Sequence, residues 1–205
     1  MRREAQGRGL SSPQGLQQFA VDVTLDPDTA HPNLILSDDG KQVIHGDVWK
    51  NLPDKPERFS DCVSVLGKQS FSSGRFYFEV QVKGKTEWDL GVARESVNRK
   101  GKITLRPRYG YWTVWLRNGN KYRANADSPV DLSLKSGPEN VGVFVDYEEG
   151  LVSFYDVDVA ALIYSFTGCC FTEKLYPKRY RYSGLSLSSQ SMQATLLGTD
   201  SSLCK

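Results

Sequence analysis

An all-β fold, a sandwich of two antiparallel sheets, is what this sequence predicts, on three observations. From Phe19 onward short apolar runs alternate with period two, the spacing of strands that bury one face. Turn-forming residues separate these runs at intervals typical of all-β domains. No stretch after Val21 keeps a 3.6-residue apolar period for three turns, so long helices have no place to form. Many antiparallel strands without helices bury their apolar faces by stacking sheet on sheet.

In chain order, residues 1–20 are rich in Gly, Ser, Gln and Arg and read as a short helical or linker segment. Leu34, Ile35 and Leu36, the turn Ser37-Asp38-Asp39-Gly40, and Gln42, Val43 and Ile44 make a hairpin. From Arg75 to Lys83, Phe76, Phe78, Val80 and Val82 share one face, while Tyr77, Glu79, Gln81 and Lys83 share the other, as in a strand with one wet side. Residues 141–155 place two β-rich arms around an acidic turn that ends at Gly150, a second hairpin, and Ala161–Phe166 is a further strand. The pairs Asp38-Asp39 and Glu148-Glu149 lack the spacing of a calcium loop and read as turn caps, so no metal site is expected.

The strand Tyr111–Arg117 carries the functional signal. Trp112, Val114 and Leu116 fall on one face and read as core; Tyr111, Thr113, Trp115 and Arg117 fall on the other. That second set is mixed aromatic and polar, the composition of an interface hot spot. Trp115 is therefore expected to project into solvent and to anchor a partner.

Composition narrows the alternatives. A chain of 205 residues suits one domain with one core. No apolar run approaches the roughly 18 residues of a membrane span, and the basic amino terminus is not followed by an apolar signal region. Cys62, Cys169, Cys170 and Cys204 show no zinc-site spacing and are expected to be reduced. None of the seven asparagines is a glycosylation acceptor, which fits a cytoplasmic location. Two histidines, His31 and His45, lie near predicted turns and outside any catalytic motif, and no nucleophile elbow, P-loop or dinucleotide fingerprint occurs. An enzyme is not expected, nor a cofactor. Net charge is +2, yet the window from Arg94 to Arg123 holds nine basic residues against the single acid Glu95, a local +8 that leaves −6 for the rest. Such asymmetry points to an anionic or acidic partner meeting one face.

Several phrases resemble the signature of PRY-SPRY domains: Leu25-Asp26-Pro27, Phe78-Glu79-Val80, Trp88-Asp89-Leu90-Gly91-Val92-Ala93-Arg94-Glu95-Ser96-Val97, Gly110-Tyr111-Trp112-Thr113-Val114 and Val145-Asp146-Tyr147-Glu148. They span residues 21 to about 177. The chain is most similar to the carboxy-terminal domain of tripartite-motif (TRIM) ubiquitin ligases, and next to butyrophilin intracellular domains. The resemblance implies a bent β-sandwich of two antiparallel sheets, a SPRY-like, concanavalin-like jelly roll, with a PRY part at 21–74 and a SPRY part at 75–205, its end after 185 open. Residues 1–20 would then be a linker or the end of a coiled coil. It further implies a non-catalytic domain that selects the target of a RING-type ligase, viral or immune, within a parent chain that dimerises through a coiled coil absent here. After Leu175-Tyr176-Pro177 the sequence departs from the family pattern, so Leu185 to Leu197 stand as an alternative closing strand.

One branch of that family binds antibody Fc. Its binding positions fall on Asp89, Trp115 and Phe171, while a fourth, aromatic in that branch, is Arg117 here. The expected partner-binding set is therefore Asp89, Trp115, Arg117, Tyr122, Arg123 and Phe171. The alternative is an anion reader, for RNA or a phosphorylated small ligand, using Arg94, Arg99, Lys100, Arg108, Lys121 and Arg123.

Overall fold

The computed structural model describes residues 12–180. Its strands, in chain order, are β1 (Leu34–Leu36), β2 (Val43–His45), β3 (Val65–Leu66), β4 (Arg75–Gln81), β5 (Trp88–Arg94), β6 (Tyr111–Arg117), β7 (Lys121–Ala124), β8 (Val130–Leu132), β9 (Asn140–Asp146), β10 (Leu151–Asp156), β11 (Ala161–Phe166) and β12 (Leu175–Tyr180). They form a β1-β2 hairpin, a four-stranded sheet ordered β11-β10-β9-β4 and a six-stranded sheet ordered β3-β12-β5-β6-β7-β8. Every strand pair is antiparallel. The expected sandwich and both expected hairpins are present.

Alternation places the core. Phe76, Phe78 and Val80 of β4, Val141, Val143 and Val145 of β9, and Val152 and Phe154 of β10 meet Trp88, Leu90 and Val92 of β5 and Trp112, Val114 and Leu116 of β6 between the sheets. Each of these strands presents every second side chain to the other sheet, which is why period two was a sufficient signal. Gly91 fits the middle of β5 because its φ is +152° and a Cβ there would sit 2.0 Å from the Trp112 carbonyl oxygen. Any other residue would push β5 off β6.

Four features differ from expectation. The outward face of β4 is dry at Tyr77, which is fully buried with Leu16, Phe144 and Tyr155. A single helical turn, α1 (Pro13–Leu16), capped by the Ser12 hydroxyl, carries Leu16 onto that face. His31, expected at a turn surface, is buried, with Nδ1 accepting from the Asn33 amide at 3.1 Å. Cys62 is disulfide-bonded, against the expectation that all four thiols are reduced, while Cys169 and Cys170 are free. After Leu175-Tyr176-Pro177, where the sequence departs from the family pattern, Lys178, Arg179 and Tyr180 continue β12, which pairs with β5 from Leu175 to Tyr180. The alternative strand Leu185 to Leu197 lies outside the described residues.

Candidate recognition face

The side of the six-stranded sheet turned away from the core is where the predicted site residues gather, and the register says which. Asp89 pairs with Trp115 across β5 and β6, and Trp115 pairs with Arg123 across β6 and β7. Side chains opposite one another in an antiparallel pair share a face, so Asp89, Trp115 and Arg123 form one row. Arg117, two residues along β6, joins it.

Trp115 does not project into solvent. It is only 4% exposed, Nε1 donates to Asn125 Oδ1 at 2.9 Å, and Asn125 in turn donates to Thr113 Oγ1 at 2.9 Å. The guanidinium carbons of Arg117 and Arg123 stand 5.0 and 5.3 Å from its ring centroid. Cation–π attraction of this kind contributes about 0.5–2 kcal/mol per pair. The expectation of an open indole fails for a definite reason: the two arginines that alternation and register place on its face fold their guanidinium groups over it.

Carboxylates hold that cover in place. Asp89, 1% exposed, accepts from Arg117 Nη2 at 2.6 Å, and Arg117 Nη1 donates to the Trp88 carbonyl at 3.1 Å. Arg123 Nε donates to Asp131 Oδ1 at 2.6 Å. Beside Asp89 lies Lys178, fully buried on β12 opposite Gly91. Burial pulls its ammonium down to about 8, with the charge of Asp89 opposing that shift and Arg117 adding to it.

The other two expected partner-binding residues are elsewhere. Tyr122 belongs to the inter-sheet core beside Trp88, and burial raises its phenol pKa. Phe171 packs against Trp112, edge-on at 5.0 Å, and against Tyr147 at 5.3 Å, again on the core side. Among the six, Asp89, Trp115, Arg117 and Arg123 are one constellation; Tyr122 and Phe171 are not part of it.

The basic window is also less naked than its sequence suggests. Among the described residues, at least five of its nine cations are ion-paired: Arg94 with Glu173, Lys100 with Asp54, Arg108 with Asp127, Arg117 with Asp89 and Arg123 with Asp131. Arg99 spends its guanidinium on the Glu57 and Glu95 carbonyls, each at 3.1 Å. Lys121 is exposed at the β6-β7 turn. All five paired acids lie outside the 94–123 window, which is why a windowed charge count missed them.

Sequence reading missed the loop between β2 and β3. There Val48 is 76% and Trp49 58% exposed, with Leu52 also open, and Trp49 meets the His31 ring edge-on at 5.0 Å. This loop borders the same sheet face: Lys100 bridges to Asp54, and Phe59 packs with Tyr111 of β6. The available signal was an aromatic in a non-alternating Asp-Val-Trp-Lys-Asn-Leu-Pro run, where no strand would bury it. Among the described residues no cluster of His, Cys, Asp or Glu is arranged to hold a metal ion, and no helix is long and apolar enough to cross a membrane.

A sandwich that presents a charged, aromatic sheet face rimmed by loops is a binding module. Comparison with known proteins gives its family. The SPRY domain model matches residues 75–192 and the SPRY-associated domain model residues 23–71; the chain belongs to the SPRY-domain family, with the PRY segment preceding it. It is 56% identical over 153 residues to Nuclear factor 7, ovary, of Xenopus laevis, covering 75% of this chain and 25% of that protein. It is 49% identical to human Pyrin over 163 residues, 80% of this chain and 21% of Pyrin. With human E3 ubiquitin-protein ligase TRIM68 it shares 48% over 171 residues, 83% of this chain and 35% of the ligase. The chain thus spans about a fifth to a third of these relatives. The TRIM65 PSpry domain superposes with a TM-score of 0.72 at 23% identity, covering 83% of this chain and 90% of that one, a likeness of fold.

Proposed function

We propose that this domain recognises a protein target for a TRIM-type ubiquitin ligase acting in innate immunity, in the cytoplasm, through the Asp89–Trp115–Arg117–Arg123 face and the loop that borders it. The observation that carries this reading is the pairing of an ordered, ion-paired aromatic face with exposed apolar side chains at its rim. Large apolar groups held open at a surface mark interaction sites, and an aromatic beside arginines is the residue set most often found at hot spots. Trp115 here acts as the platform under two guanidinium groups, and Trp49 is the aromatic that a partner reaches first. Similarity to a ubiquitin ligase, TRIM68, over most of this chain supports the ligase context.

Affinity capture from cells with the domain, quantified against a Trp49→Ala variant, tests this. Loss of a defined partner at an unchanged thermal midpoint is the expected result, since truncating an aromatic anchor costs about 2 kcal/mol or more of binding. A partner set indifferent to Trp49 and to Arg123→Ala would defeat the assignment. The anion-reader alternative, RNA or a phosphorylated small ligand, predicts binding that collapses steeply with salt; the internal neutralisation of five of the nine cations argues against it.

A further inference from the structure

Strand β4 is the outermost strand of its sheet and pairs with β9 along one edge only. In an antiparallel ladder the backbone groups of successive residues turn to alternate sides. The Val82 amide donates toward β9, to the Glu139 carbonyl at 2.8 Å, while the Tyr77 carbonyl accepts from the Val21 amide on the other side, also at 2.8 Å. Glu79 and Gln81, in step with Tyr77, therefore turn their N–H and C=O groups to that outer side. Both residues are exposed, and among the described residues nothing bonds these four groups.

The segment that covers the start of this edge leaves it early. Ala20 bridges Tyr77 in parallel, after which the Thr24 amide donates to the Gln69 side chain at 2.9 Å and the Leu25 amide to the Gly40 carbonyl at 2.8 Å. A cavity of about 430 Å³ is lined by residues 21–23, 41–44 and 78–82, so the open stretch of β4 borders empty space. Val43, Phe78 and Val80 give it apolar walls, and Ile44, 47% exposed, stands among its lining. An unpaired edge beside such walls is a template for another strand.

Charge at the cavity narrows the guest. Lys41 is paired with Asp22, Lys85 is partnered, and Arg179 donates to the Lys41 carbonyl at 3.0 Å. Glu79 accepts from neutral donors, Tyr77 Oη at 2.8 Å and Gln17 Nε2 at 2.6 Å, and among the described residues neither Glu79 nor Glu87 has a cationic partner. These two carboxylates are the unmatched charge, and a basic guest complements them.

We propose that the outer edge of β4 takes up an extended segment of a partner protein as an added strand, bonded to the backbone of Glu79 and Gln81. Apolar side chains of that segment enter the cavity at alternate positions, and lysine or arginine between them matches Glu79 and Glu87. Backbone bonds supply affinity, while the alternation and the charge supply selectivity. The edge belongs to the four-stranded sheet, apart from the recognition face, and either site stands without the other.

The probe is an acetylated, amidated hexapeptide of alternating valine and lysine, titrated into the nitrogen-15-labelled chain while the Glu79 and Gln81 amides are followed. It should shift both resonances saturably and slow their hydrogen exchange. Glutamate in place of lysine should weaken the peptide about tenfold or more, as like charges require. N-methylating one alternate set of its residues should abolish binding and N-methylating the other should spare it, because only one set turns its N–H groups to β4. Gln81→Pro removes an outward N–H that the β9 ladder does not use, so the fold should hold and the peptide should be lost. Where the proline variant does not fold, Glu87→Lys leaves the backbone untouched and should weaken the lysine peptide while strengthening the glutamate one. No saturable shift, equal effects of the two methylations, or indifference to both substitutions would overturn the proposal. So would slow exchange of these amides in the free chain, which would assign the edge to the chain's own residues past Tyr180, or protection that grows with protein concentration, which would assign it to a second copy.

Discussion

Trp112 and Trp115 stand three residues apart on β6, are 5% and 4% exposed, and are buried by different means. Trp112 faces the other sheet and lies among Phe171 and the valines of β9 and β10. Trp115 faces outward and is covered by Arg117 and Arg123, with its N–H handed to Asn125. The first is sealed by rigid apolar neighbours that belong to the fold. The second is sealed by flexible cationic side chains held by Asp89 and Asp131. A partner able to offer its own carboxylates or aromatics can therefore reorganise the outer cover at modest cost, while nothing can open the inner one without separating the sheets.

The largest effect that sharpens this contrast is on stability. Trp112→Ala leaves a cavity in a close-packed interior and should cost about 3–5 kcal/mol, read by urea unfolding. Trp115→Ala should cost less, about 2–3 kcal/mol, because two long side chains can settle into the space. Equal losses would mean that the outer face is packed as rigidly as the core; no loss at Trp115 would mean that its cover contributes nothing to the fold.

How far the sequence made these faces legible depends on which interactions are local. Alternation along β4 and β6 placed the core side chains named for those strands, since period two is a property of the strand alone. It also put Asp89's partner Trp115 beside Arg117 correctly. Alternation does not say what lies above a face. Tyr77 was expected wet because Leu16, which covers it, is 61 positions away in a segment with no helical repeat. Trp115 was expected open because a side chain's cover is set by rotamers of Arg117 and Arg123 and by acids distant in sequence. Tyr122 and Phe171 came to the site through resemblance and position, and the register of β7 against β6 assigns Tyr122 to the core with Leu116. The unbonded backbone groups of Glu79 and Gln81 have no sequence signature at all, because a missing partner is a fact of tertiary geometry.

The outer face also carries a charge that the inner one cannot, and Lys178 tests this at intermediate size. Its folded-state pKa of about 8 lies below the ordinary 10.5. Between those values the unfolded chain holds a proton that the folded chain has released, so stability rises as pH climbs from 8 to 10.5, and the full cost of the buried ammonium is present below 8. Lys178→Met should abolish that rise, read by urea unfolding at pH 8 and at pH 10.5, with the Asp89–Arg117 pair intact. A methionine variant destabilised at pH 7 would show that the Lys178 charge helps to balance Asp89, making the face a three-charge unit; a rise that persists in the variant would place the titration on another group.

The smallest effect concerns the rim. His31 supports Trp49 from below, and burial lowers its pKa beneath 6.5, against a backbone hydrogen bond to Ser60 and the charge of Asp61, with His45 adding to the depression. Its Nδ1 accepts from the Asn33 amide, so a second proton would set donor against donor. The neutral ring is the folded form: stability from this site is complete above pH 6.5 and declines as pH falls below it, because the unfolded chain takes up the proton first. His31→Gln, which keeps an acceptor, should flatten the fall in unfolding free energy between pH 6.5 and 5. Following Trp49 fluorescence over the same range separates two cases. A change that tracks the loss of stability places the exposed indole on a support that acid loosens, whereas fluorescence constant across the range would mean that the loop holds Trp49 without help from the ring beneath it.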